Sequence, residues 1–112
     1  MAARDYQDEI GKVDLTLKSI EQVLNLPKLI ETADDLEKQA SVPNLWDDPQ
    51  AAQVITSKLS RAQSTINKIN SIRSRLDDLP VMVELALSES DKAAAFKDVD
   101  KELDELTKVI ND

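Results

Sequence analysis

Apolar residues in this chain recur in steps of three and four, the spacing that lines one face of an α-helix. Tyr6, Ile10, Val13, Leu17, Ile20 and Leu24 set out a first helix that fades near Asn25. Leu26, Leu29, Ile30, Ala33, Leu36 and Ala40 set out a second, opened by Pro27 near its start and ended before Pro43. Ala52, Ile55, Leu59, Ala62, Ile66, Ile69, Leu76 and Leu79 set out a third, with Ile72 rather than Arg73 turned inward as the pattern drifts. At about 1.5 Å per residue this helix reaches roughly 45 Å. Pro80 is expected to break or kink it, because its ring removes a donor and disfavours helix at the preceding residue. Val81 to Leu87 then reads as a short continuation, and Ser88 or Ser90 as the cap of a last helix carrying Ala95, Phe96, Val99, Leu103, Leu106 and Ile110. The pattern predicts an all-α fold, an antiparallel helical bundle with long coiled-coil-like helices, in a single domain over residues 1–112.

Composition narrows the chemistry. With 112 residues the chain is long enough for a core without staples, and it has no Cys for a disulfide framework or a thiolate metal site. A single Gly and an aromatic content of 3% favour helix over sheet. No apolar run approaches the roughly eighteen residues of a membrane span, and the N-terminus lacks the pattern of a signal peptide. There is no His, which removes the Glu-x-x-His metal sites of helical bundles and histidine-based catalysis. Asp34-Asp35, Asp77-Asp78 and Asp104-Glu105 are neighbours on helices, pointing about 100° apart, and read as solvated faces rather than paired catalytic carboxylates. Neither a cofactor nor a metal is expected; an Asp47-Asp48 metal site would have too few further ligands.

The charge is unevenly distributed. The formal net charge is −8, yet from Pro49 to Leu76 there is no acidic residue, only Lys58, Arg61, Lys68, Arg73 and Arg75. With Ala52, Leu59 and Ile66 on the buried seam, Lys58, Arg61, Lys68 and Arg75 share one outer side of the third helix. Such a stripe suits RNA phosphates or an acidic protein surface. The plainer alternative is that it faces acidic helices within the bundle, in exposed pairs of about 0–1 kcal/mol each.

Unusual residues gather at fixed spacing only in Pro43-Asn44-Leu45-Trp46-Asp47-Asp48-Pro49-Gln50-Ala51-Ala52-Gln53. Physically this is a loop that launches a helix: Asp48 as N-cap, Pro49 as first helical residue, where its missing N–H has no intrahelical partner to lose. Trp46, the sole Trp, is expected to pack its apolar body back on that helix. The competing reading is an aromatic that binds a partner.

Through Pro43, Trp46, Asp48, Pro49, Ala52 and Gln53, with Leu59-Ser60 following and Leu36-Glu37 before, the segment resembles the N-terminal domain of bacterial class-I peptide chain release factors, in the release factor 2 branch. It departs mildly where Asn44-Leu45 and Asp47 replace the family's frequent Asp-Phe and Asn, without altering the capping chemistry. The resemblance covers most of the chain in layout but is specific only around Trp46. It implies contact with the ribosome near the stalk base of the large subunit, protein and rRNA, a link to the class-II GTPase release factor, and cytoplasmic residence. Neither a membrane nor DNA is implied. Full-length factors of this branch act at UGA and UAA, through a Ser-Pro-Phe-type tripeptide for the codon and a Gly-Gly-Gln loop for peptide release. Neither motif occurs here, Gly11 being the sole glycine, so the resemblance implies an accessory domain that does not release peptides alone. The alternatives are a generic helical-bundle adapter binding a partner protein through its helix faces and, last, an enzyme acting through carboxylates.

Overall fold

The computed structural model describes residues 4–111 and is all-α. Four α-helices follow one another: α1 over Tyr6–Leu24, α2 over Leu26–Ala40, α3 over Pro49–Ser88 and α4 over Lys92–Asn111. A single 3₁₀ turn, Leu45–Asp47, lies between α2 and α3.

The helix starts share a device. Asp5, Asp48 and Asp91 each accept, through Oδ1, the backbone N–H three residues on, from Asp8 at 3.0 Å, Ala51 at 3.2 Å and Ala94 at 3.1 Å. Each carboxylate thereby satisfies an orphan donor and faces the positive end of the helix dipole. The cap of the last helix is therefore Asp91, not Ser88 or Ser90. Ser88 still belongs to α3, its hydroxyl donating back to the Leu85 carbonyl at 2.8 Å, and the carboxylate of Asp91 meets the dipole where a serine hydroxyl carries no charge. Between α1 and α2 the chain turns at Asn25, whose φ of 51° and ψ of 68° are left-handed, a conformation Asn tolerates better than most side chains. Pro27 stands in the first turn of α2.

Pro80 does not break α3, which runs on for 40 residues to Ser88. The ring costs the Leu76 carbonyl its donor. Leu76 and Leu79 are nonetheless 3% and 0% exposed, and their burial, about 1.5–3 kcal/mol for each such side chain, holds the helix through the lesion.

The chain packs as two compact units, one taking residues up to Ile20 and from Asn70 on, the other Glu21–Ile69. In the first, segments of α1, α3 and α4 enclose Val13, Leu17, Ile72, Leu76, Leu79 and Ala86 with Val99, Leu103, Leu106 and Ile110. Ile72 takes the inward place, and Arg73 turns to the carboxylate of Asp14. The short turn after Ser88 makes α3 and α4 antiparallel. Contacts from Tyr6 to Asp100 and a groove shared by Lys12, Thr16, Thr107 and Asn111 show α1 running parallel to α4.

A clasp fastens the start of this unit. The Arg4 guanidinium reaches Glu9 at 2.6 Å, Asp104 at 2.6 Å and Asp100 at 3.1 Å. The Tyr6 hydroxyl donates to Asp100 at 2.6 Å, and its ring stacks on Phe96 with centroids 5.0 Å apart. Burial, followed by the bond to Asp100, pushes the phenol up to about 12. The second unit is leaner. Its buried side chains among the described residues are Ala33, Ala52, Ala62 and Ile69, in α2 and the first part of α3.

Candidate functional site

The loop from Ser41 to Asp48 and the opening turns of α3 all lie in the second unit. The backbone of Asp48 is extended, with φ of −119° and ψ of 91°, and its carbonyl accepts from Ala52 at 3.0 Å. Side chain and backbone together make it the N-cap, and Pro49 is the first residue of α3. Ala52 is fully buried, which fixes the phase of the helix: Gln53 on its next position is turned to solvent.

Trp46 departs from the expected packing. It is 63% exposed, and Val42 and Val54 in the same unit are also exposed, at 46% and 52%. The 3₁₀ turn carries it on the outside of the loop, and Leu45 takes the half-buried inward place beside it. One residue of loop phase thus decides which of Leu45 and Trp46 is inside. Sequence periodicity gives no guide to phase in a turn of three residues.

The four expected basic residues separate into two groups. Lys58, Arg61 and Lys68 lie exposed in the second unit, and among the described residues no carboxylate is within ion-pair range of them. Gln53 joins Gln50, Val54, Ser57, Lys58 and Arg61 around one shallow groove. Lys68 follows Arg61 by seven residues and shares its face. Arg75, one further heptad along, belongs to the first unit, and its Nε donates to Glu102 at 2.6 Å while Nη2 reaches Glu105 at 3.2 Å. It is thus a strut between α3 and α4, as the plainer reading of the stripe has it. Arg73 is likewise engaged, and with Lys18 it holds the Asp14 carboxyl below the usual carboxylate range.

The surface so built presents an amide-lined groove, two cations beside it and a third a heptad beyond, with an exposed indole at the preceding loop. Guanidinium and ammonium groups without internal partners remain available to phosphate or carboxylate oxygens, and the indole to a flat apolar or aromatic surface. Among the described residues no group of three or more Asp or Glu side chains is placed to hold a metal ion. No helix among them is long and apolar enough to cross a membrane. The sequence reading did not single out the Arg4–Tyr6–Asp100 clasp. Its signal was faint: Arg4 meets Glu9 nearby, but Asp100 and Asp104, the carboxylates that tie it and Tyr6 to α4, lie more than 90 residues away.

Comparison with known proteins agrees with this architecture. Residues 29–112 match the PCRF domain. The chain is 46% identical over 103 residues to peptide chain release factor 2 of Corynebacterium diphtheriae, covering 92% of this chain and 27% of that protein. It is 48% identical over 91 residues to peptide chain release factor 2 of Streptomyces avermitilis, covering 81% and 25%. With the Arthrobacter protein of the same name it is 44% identical over 112 residues, covering 100% and 30%. The chain thus spans between a quarter and a third of the length of these relatives. It belongs to the PCRF domain family, in the branch represented by the peptide chain release factor 2 proteins of these bacteria.

Proposed function

We propose that this chain is the accessory, ribosome-contacting domain of a peptide chain release factor 2, acting in translation termination in the cytoplasm, at UGA and UAA in the full-length factor. The observation that carries the reading is the set of uncompensated cations Lys58, Arg61 and Lys68, on a helix of an otherwise acidic chain, beside Gln53 of the family loop. An acidic domain that approaches RNA needs a local cationic face to offset repulsion from the phosphates, and this is where the chain has one. The 112 residues act as one domain that positions rather than catalyses, and peptide release falls to a Gly-Gly-Gln loop outside this stretch. The contact lies near the stalk base of the large subunit, with protein and rRNA within reach, and the class-II GTPase factor is a further partner.

The test is binding of the full-length factor to purified large subunits over a range of salt. Lys58→Glu, Arg61→Glu and Lys68→Glu together should weaken binding about tenfold or more and flatten the slope of log affinity against log salt by roughly 2. Unchanged affinity and slope in a folded triple mutant would remove the proposal. The exposure of Trp46 favours a second reading, an adapter that docks a partner protein through an aromatic anchor. Trp46→Ala distinguishes the two: in the adapter it weakens binding without changing the salt slope.

A further inference from the structure

The turn between α3 and α4 carries a surface of opposite character, in the other unit. Met82, Leu85 and Ala86 from the last turns of α3 face Ala95 and Val99 of α4 across a shallow groove open to solvent. Consecutive alanines at the start of α4 leave the floor low, because each ends at Cβ where a larger side chain would fill the gap. Leu85 on the wall is 60% exposed, and Val81, one turn earlier on the same helix, is 54% exposed. Glu89, Asp91 and Asp98 rim the groove, and Lys92 and Lys97 are not part of its lining. Among the described residues none of these three carboxylates is in an ion pair; the Asp91 side chain accepts only the capping bond from Ala94.

We propose that this groove docks a basic amphipathic helical segment of a partner protein. Its apolar side chains, one turn apart, would seat against Met82, Leu85 and Val99, and its Lys or Arg residues would reach Glu89 and Asp98. The match is one of charge and periodicity. An apolar strip little more than one turn long on each helix accepts anchors at helical spacing, and a rim of one sign selects a segment of the other. The same rim repels nucleic acid and anionic lipid surfaces, which sets this face apart from the cationic one. The proposal does not depend on the ribosome-binding reading.

The experiment is a nuclear magnetic resonance titration of the 112-residue chain with an amphipathic Leu/Lys peptide of about five helical turns. The same pattern written in Leu and Glu, and a Leu/Lys peptide with scrambled periodicity, serve as comparisons. The Leu/Lys helix should shift the amides around Leu85, Glu89, Ala95 and Asp98, and both comparison peptides should leave them in place. Leu85→Ser with the rim intact, and Glu89→Lys with Asp98→Lys with Leu85 intact, should each weaken binding about tenfold. Leu85 is exposed, so its replacement leaves the fold in place. Shifts spread over Asp34, Asp35 and Asp104 and insensitive to Leu85→Ser would reduce the effect to bulk charge and overturn the proposal. So would concentration-dependent self-association that protects the Leu85 region, which would make a second copy of the chain the occupant through its own Val54, Lys58 and Arg61.

Discussion

At the scale of single residues, two groups carry stability that can be read in isolation. The Asp48 side chain meets one orphan N–H at the head of α3, and nothing else nearby replaces it. Asp48→Ala should therefore cost about 1 kcal/mol in urea unfolding; an unchanged midpoint would mean that the helix starts elsewhere. Tyr6 is the only tyrosine, so phenolate absorbance reports it alone. Its folded pKa is raised above the ordinary value of about 10 by burial and by the bond to Asp100. The neutral phenol is thus favoured in the folded state, and its contribution is complete below about pH 10 and lost as pH rises towards about 12. The absorbance titration should show a midpoint near 12, and stability should fall over that window in the native chain but not in Tyr6→Phe. A midpoint near 10 would mean that the clasp is open in solution.

The same residues show what one-dimensional reasoning reaches. Asp48 and Pro49 were legible because a cap is a local matter, decided within four residues. Trp46 was not, because whether an aromatic in a short turn packs or protrudes depends on the surface opposite, and Leu45 filled that place. Arg75 was legible only as a charge. Its engagement with Glu102 and Glu105 follows from the pairing of α3 with α4, which no spacing along α3 encodes.

At the scale of elements, periodicity located the apolar seams, and its failures are confined to ends and interruptions. The last helix is capped by Asp91 because Ser88 is still inside α3 and a carboxylate gains from the helix dipole where a serine hydroxyl does not. Pro80 was expected to break or kink α3; the local grounds for a break are correct in sign and insufficient in size, since the helix continues through it. The missing donor is outweighed by Leu76 and Leu79 on one side and Ala86 on the other, all buried in one core. The defect still carries its cost. Pro80→Ala should restore the bond to the Leu76 carbonyl and raise stability by about 1–3 kcal/mol, less whatever flexibility the unfolded chain regains. Thermal unfolding checks it; a lower midpoint would mean that the ring itself packs against something the helix needs.

At the scale of the whole molecule, the two units divide burial and charge between them. The first encloses Leu17, Leu79, Leu103 and Leu106, each 0% exposed, and satisfies its arginines internally. The second buries three alanines and one isoleucine and leaves its cations uncompensated. An alanine removes little apolar area from water, so the second unit draws less on burial and more on helix propensity. Local opening follows from that imbalance. Native-state hydrogen exchange should find the amides of α2 and the first turns of α3 exchanging through openings well below the global unfolding free energy, and the amides around Leu103 and Leu106 exchanging only with it. Leu103→Ala separates the two classes, because it deletes a fully buried side chain at a cost of about 2–5 kcal/mol. It should lower the protection of the Leu106 and Leu79 amides by that amount and leave the fast-exchanging amides of α2 where they were. If α2 loses protection in step with α4, the units unfold as one cooperative body. The exposed cations of α3 would then sit on a surface as rigid as the core.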